Sequence, residues 1–275
     1  MDEVPELFVD AVIGLFSQYN LEIIVHFDDS TWSHIGKLHI ANRKYFNVEM
    51  GKVDGEFAFA FTEMGPYGGV IRRRVKPSEM QLLKPQYLRI RVICGILGSL
   101  RRFRDKGFWD EDLLRVGEDQ IETFLSQFPN YFAKGNSHNI HLVRKASYMS
   151  DDDDGLLSLK EFSDFSRLIL KTFYKRVYFN FVTIPYVGSE SDDFLKDYIY
   201  NHPSQLFLDI EEDWPPSILE DVQNSFRKGT IGSIRLPATF HISREFIMEP
   251  FELWKRDGEF QCMLSWESQR RTAFI

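Results

Sequence analysis

The sequence has few cysteines, no long apolar run and no excess of positive charge, and each shortage closes off a class of protein. Cysteine occurs only at Cys94 and Cys262, both inside alternating apolar runs. Secreted folds held by disulfides carry more, so two buried thiols in a reducing compartment are expected. The most apolar stretch, Tyr87 to Leu100, contains Arg89 and Arg91. It also falls short of the ~20 residues needed to span a bilayer. Asp2 and Glu3 open the sequence and no basic segment leads into an apolar one, which predicts no secretory signal. A cytoplasmic or nuclear protein with no membrane partner is therefore expected. With 33 Lys and Arg against 41 Asp and Glu, the formal net charge is −8. Nucleic-acid binders usually meet phosphates with a basic face, so no nucleic-acid partner is expected.

Signatures of catalysis are also missing. No Gly-x-Ser-x-Gly elbow, no cysteine–histidine signature and no phosphate-cradling glycine loop occurs. The expectation is a protein with no catalytic residues and no cofactor. Seven histidines make no ligand set. His34 and His39 are five apart, wrong for one helical face, and His138 and His141 flank a strand start without cysteine or acidic companions at ligand spacing.

What is abundant is apolar material: 43% hydrophobic residues, 15% aromatics and 25 phenylalanines, enough for a large core. The length of 275 residues exceeds the usual ~100–200 of one domain and suits either one elongated unit or a small module before a larger one. The first ~45 residues read as helices. Phe8, Val12, Leu15 and Phe16 recur at helical spacing behind Pro5, a first-turn position. Asn20 closes that helix, and a short apolar piece with Leu21, Ile24 and Phe27 follows. Asp29-Ser30 then offers an N-cap for a segment with Trp32, Ile35, Leu38 and His39 on one face.

After Arg43 the period falls to two. Tyr45 to Met50 and Glu56 to Thr62 read as strands of a hairpin turned at Asp54-Gly55. From Tyr87 onward strands and helices alternate. Strand cores are Leu88-Ile90-Val92, Ile140-Leu142, Val177-Phe179-Phe181, Leu206-Leu208-Ile210, Ile234-Leu236 and Phe260-Cys262-Leu264. Helical patterns run over Leu113 to Phe124, Phe162 to Phe173, Phe194 to Ile199, Ile218 to Phe226 and Phe246 to Trp254. Phe179, Leu208, Leu236 and Leu264 follow one another at 29, 28 and 28 residues. A strand-plus-helix unit repeating at ~20–29 residues suits an irregular leucine-rich-repeat-like solenoid. An ordinary open α/β sheet, whose units are also ~30 residues long, is the alternative. The fold class expected is α/β, a helical module over 1–45 followed by an α/β repeat-like domain over 46–275.

Two charged segments have both a functional and a structural reading. Ser150 to Glu161 has Gly155 at the sixth position of a calcium-type loop, with Asp152, Asp154 and Glu161 at the third, fifth and twelfth. Its first position is Ser150, which lacks the carboxylate. The same residues form a Ser158-x-x-Glu161 capping box that opens the next helix, and this reading predicts no metal site. Arg72-Arg73-Arg74-Val75-Lys76, with Arg101, Arg102 and Arg104 further on, concentrates positive charge. It can meet phosphate or an acidic partner or pair with the chain's own carboxylates.

Val4-Pro5, Phe8, Val12, Leu15, Leu21 and Trp32 follow the order of the F-box, which this segment resembles. Val4 stands where leucine is commoner, and Thr31 where a basic residue usually precedes the tryptophan. The whole chain is similar to the nematode-expanded F-box-like and F-box-associated families, with Met-Asp-x-Val-Pro at the start and Leu206-Phe-Leu-Asp-Ile-x-x-x-Trp214-Pro215-x-x-Ile218-Leu219 later. The resemblance implies a substrate-recognition subunit of a Skp/cullin/F-box ubiquitin ligase. Pro5, Phe8, Val12, Leu15, Leu21 and Trp32 would then contact a Skp-type adaptor, and the later domain would capture a target protein.

Overall fold

The computed structural model describes residues 4–27, 30–66, 73–97, 100–132, 138–143, 157–201, 206–210, 214–227, 231–236, 243–257 and 263–266. The chain separates into two compact units, Met1–His138 with Tyr148–Leu157, and Asn139–Ser147 with Ser158–Ile275. The boundary expected at 45/46 thus falls inside the first unit.

The first unit opens with three short helices, α1 (Glu6–Gly14), α2 (Gln18–Ile24) and α3 (Thr31–Asn42). Hydroxyl caps start the second and third: Ser17 Oγ accepts the Asn20 N–H and Ser30 Oγ the Ser33 N–H, each at 3.1 Å. Such caps satisfy amides that the first helical turn leaves unpaired. Ser30 is the cap foreseen. Asn20, expected to close the first helix, instead lies inside α2, because α1 already ends at Gly14. Val9, Ile13, Leu21, Ile24 and Ile35 form the buried core of this cluster.

A mixed sheet follows. Strands β1 (Lys44–Val53) and β2 (Glu56–Met64) form the expected antiparallel hairpin. Its turn places Asp54 and Gly55 at φ of 54° and 84°, the left-handed region where Asp and Gly are tolerated best. Next come β3 (Arg73–Val75), the single-turn helix α4 (Pro77–Met80) and β4 (Leu88–Leu97), which returns parallel to β1. Helix α5 (Leu100–Asp105), β5 (Leu113–Val116) and α6 (Ile121–Ser126) complete the unit. Leu113 to Phe124, read as one helix, is therefore a strand and then a helix, parted at Gly117. Pairing of Leu113–Val116 with β2 overrides the local helical period.

Both faces of β2 are covered. Ala58 and Ala60 meet Phe103, Phe108 and Leu113. On the alternate residues, Phe59 lies 4.8 Å from Phe124 and 5.9 Å from Phe128 between ring centres.

The second unit is built of β6 (Asn139–His141), α7 (Leu159–Phe173), β7 (Phe181–Ile184), α8 (Ser189–Asn201), β8 (Leu206–Ile210), α9 (Ile218–Arg227), β9 (Ile231–Leu236), α10 (Arg244–Asp257) and β10 (Met263–Trp266). All five strands are parallel, each paired with its successor in the chain. Ile140, Val182, Leu208, Ile234 and Leu264 occupy one row of the ladder. The parallel, sequential order is the expected one. The row differs: the 28- to 29-residue spacing puts Phe179 and Leu236 in it, whereas Val182 and Ile234 take those positions. Phe179 lies before β7, and its N–H is taken by the Tyr198 hydroxyl instead of a ladder partner. Consecutive helices α7, α8, α9 and α10 each touch the next. That is the arrangement expected when right-handed crossovers join neighbouring parallel strands. Trp214, buried, donates its indole N–H to the Ile184 carbonyl at 3.0 Å and so pins the segment after β8 to the end of β7.

Candidate docking surface and its buried support

Helix α1 is apolar on nearly every side, so its period alone leaves its orientation open. The cluster core takes Val9 and Ile13. Phe8 is left 56% exposed and Leu15 46% exposed, with Val12 half-buried between them. Phe8, Val12 and Leu15 are spaced i, i+4 and i+7, one helical stripe, and Pro5 is exposed at its start. The structure thus brings four of the six expected contact residues to the outside of α1. It removes one of the others: Leu21 is fully buried and belongs to the cluster core. Trp32 is half-buried and packed against that core. Its Nε1 is enclosed with no hydrogen-bond partner among the described residues.

Further outward apolar residues lie outside the expected contact set. Leu7 is the most exposed, and Tyr19, Ile23 and Phe27 continue at helical spacing on α2 and the turn after it. The spacing of four between the last three was the available signal.

Beneath α1 lies a polar network with no counterpart in the sequence reading. Arg43, just after α3, is buried. It donates from Nη1 to the Phe16 carbonyl at 2.6 Å and from Nη2 to the Ile13 carbonyl at 2.7 Å. Arg89 on β4, also buried, donates to the Gly14 carbonyl at 2.7 Å and to Leu88 O at 2.6 Å. The last carbonyls of a helix have no partners within it and carry its partial negative charge. Two guanidinium groups satisfy them here and tie α1 to the sheet. Arg43 Nε also donates to His39 Nδ1 at 3.3 Å, while His39 Nε2 lies 2.7 Å from Asp10 Oδ1. With Nδ1 accepting, the ring proton sits on Nε2 and is donated to Asp10, which is the neutral form.

Burial, more than any other influence, pulls the His39 pKa below its ordinary value, and the charges of Arg43 and Arg89 add to it against the opposing pull of Asp10. Burial likewise lowers Arg43, and burial with the adjoining Arg43 charge brings Arg89 down to about 10. Both arginines remain cationic at neutral pH. The clue was available: Arg89 stands in the most apolar stretch of the chain, where a charge needs a partner.

The other expected sites resolve as follows. Ser158 and Glu161 form the reciprocal capping box at the start of α7, with both box contacts at 3.2 Å. Ser150 to Gly155 lies outside the described residues, as do Arg72, Cys262, His202 and His241. In the basic run, Arg73 bridges Glu63 and Glu79, and Lys76 pairs with Glu111. Burial pushes Glu63 up, but hydrogen bonds from Lys44 and Arg73 outweigh it and hold the carboxyl below its usual range. Cys94 donates to Glu49 at 3.0 Å. Burial first, and the Glu49 charge second, push its thiol well above the ordinary value, so it is a poor nucleophile. His141 Nδ1 lies 3.1 Å from Thr183 Oγ1. Among the described residues no group of three or more His, Cys, Asp and Glu is arranged to hold a metal, and no helix is long and apolar enough to cross a membrane.

No protein-family model matches the chain, and comparison with curated proteins and with solved structures returned no match.

Proposed function

We propose that the chain is a protein-binding adaptor with no catalysis of its own, acting in the cytoplasm or nucleus as the substrate-recognition subunit of a Skp/cullin/F-box ubiquitin ligase. In this reading α1 to α3 are an F-box-like module that docks on a Skp-type adaptor. The sequential parallel ladder of the second unit is an irregular leucine-rich-repeat-like solenoid that captures a target protein. The observation that carries the reading is the outward stripe Phe8–Val12–Leu15, large apolar side chains left unburied on a short helix. Exposed apolar stripes of this kind mark partner surfaces, and each anchor removed from water contributes ~1.5–3 kcal/mol.

The test is co-purification with the adaptor, run beside a melting curve for each protein. Wild type should recover the adaptor. Phe8→Ala with Leu15→Ala should lose it while melting close to wild type, because exposed positions away from the core change stability by roughly 0.5 kcal/mol or less. A wild type that recovers no adaptor sinks this reading. One observation favours a different one, a non-enzymatic scaffold or ligand-binding protein with a degenerate F-box: Leu21 and Trp32 pack into the cluster itself.

A further inference from the structure

The charges of the first unit are sorted unevenly. Arg73, Lys76, Lys44, Lys52, Lys106 and Arg115 each hold a carboxylate of the chain. In a chain with eight more acidic than basic residues, that is the expected condition. Arg74 and Arg104 depart from it. Arg74, on β3, lays its guanidinium 5.9 Å from the centre of the Phe108 ring, and Arg104, on α5, lies 5.7 Å from that of Trp109. Neither has a carboxylate partner among the described residues, and both are exposed.

The acids that could have neutralised them are engaged elsewhere. Asp110 is held by Arg115, Glu111 by Lys76 at 2.9 Å, and Asp112 accepts the Trp109 N–H at 2.9 Å. The short acidic run beside the two arginines is thereby occupied, and their guanidinium donors are left to solvent.

The local backbone is shaped to hold them. Gly107 sits at φ 86°, and a Cβ there would collide with the Arg74 guanidinium. Its N–H is donated to the Arg104 carbonyl at 2.7 Å, and the Phe108 N–H to the Phe103 carbonyl at 2.8 Å. One tight turn therefore fixes the aromatic rings on which both arginines rest. Trp109 itself is 56% exposed, unusual for a side chain that contributes so much when covered. A guanidinium held over a ring loses less freedom when it binds than a loose one, and its fork matches the two oxygens of a carboxylate or phosphate.

We propose that Arg74, Arg104 and Trp109 form a recognition patch for an acidic peptide segment, the arginines taking its oxyanions and Trp109 an adjoining apolar side chain. A peptide fits better than a nucleic acid. A chain of net charge −8 repels a continuous polyanion, while two arginines and one indole suit a short mixed segment. The proposal does not depend on adaptor docking by α1.

Fluorescence anisotropy with the full chain tests it. The probes are a labelled peptide of alternating glutamate and leucine, its phosphoserine counterpart, and a single-stranded oligonucleotide of equal charge. Both peptides should bind, the oligonucleotide more weakly. The tighter of the two peptides identifies the preferred oxyanion. Arg104→Glu and Arg74→Glu should each weaken peptide binding about tenfold or more, and Arg104→Lys, which keeps the charge without the fork, by a smaller factor. Lys37→Glu on α3 makes the same charge change away from the patch and should leave affinity within about twofold. Melting curves confirm that each variant is folded. Absence of peptide binding by wild type, equal loss in Lys37→Glu, or tighter binding of the oligonucleotide would overturn the proposal.

Discussion

In the first unit two buried guanidinium groups hold the end of α1, whereas in the second the fully buried ties between successive elements are neutral and the charged ones, Arg167 to the Val187 carbonyl and to Glu190, are only partly buried. There Trp214 donates to Ile184, Tyr198 accepts the Phe179 N–H, and Ser191 Oγ bridges the Pro185 carbonyl and the Val187 N–H at 2.9 Å each. The difference follows from geometry. Helix α1 is short and is held at its C-terminal end, where unpaired carbonyls gather and a cation is the strongest donor. Helices α7 and α8 are longer and offer whole faces, such as Phe162, Phe165, Ile169, Leu170 and Phe173. There, apolar area does most of the holding. The first unit should therefore be sensitive to charge and pH, and the second to volume.

The largest effect expected is in the second unit. Phe173→Ala removes a fully buried ring and should cost about 3–5 kcal/mol in urea unfolding, with loss of amide protection in α7 and α8. A smaller loss would mean that this unit does not depend on packed volume. The counterpart in the first unit is Arg43→Met, close in length but without donors. It leaves the Ile13 and Phe16 carbonyls and His39 Nδ1 short of a partner and should cost about 3 kcal/mol, with amide exchange rising first in α1. A neutral outcome would erase the contrast between the units. Ser158→Ala removes the cap of α7 and should cost about 1 kcal/mol, confined to the second unit.

The smallest effect is the pH dependence of the first unit. Because the folded state lowers the His39 pKa, it binds fewer protons than the unfolded chain. The contribution is complete above the ordinary histidine value of 6.5 and is lost as pH falls from there through the lowered folded value. Protonation would also set an Nδ1–H against the Arg43 donor. Urea midpoints measured from about pH 7.5 down to pH 5.5 should fall in wild type and less steeply in His39→Gln. This range lies above the titration of carboxyl groups such as Glu63, so their loss does not mimic it. Parallel slopes in the two proteins would remove His39 from the account.

The hairpin at Asp54-Gly55 and the strand–helix alternation after Asn139 were legible, because periods of two and of about 28 residues reflect strand pleat and repeated crossover. Register was not. Val177, Phe179 and Phe181 alternate as a strand would, yet Lys175 at φ 56° redirects the chain, and Tyr198 takes the Phe179 amide from nineteen positions away. Pairing β5 with β2 likewise needed a partner remote in sequence. At the docking surface, the apolar spacing of α1 located Phe8, Val12 and Leu15. It could not tell inside from outside on a nearly apolar helix, and Leu21, on α2, faces the cluster core instead of a partner. Arg43 and Arg89 were visible as charges in apolar surroundings, but their partners are backbone carbonyls, which carry no side-chain signature.

Strand β2 carries Phe57-Ala-Phe-Ala-Phe61, an uncharged, strongly strand-forming run of the kind that stacks into fibrils when its edge is open. One edge is taken along its whole length by β1. The other is divided: β5 covers Phe57 to Ala60, and β3 covers Phe61 to Glu63. The two short covering strands bring Arg115, Arg73 and Arg74 to that side, charges that discourage addition of a further strand. An invading chain would have to displace two separately anchored pieces at once, which makes the most aggregation-prone segment of the first unit one of its best guarded.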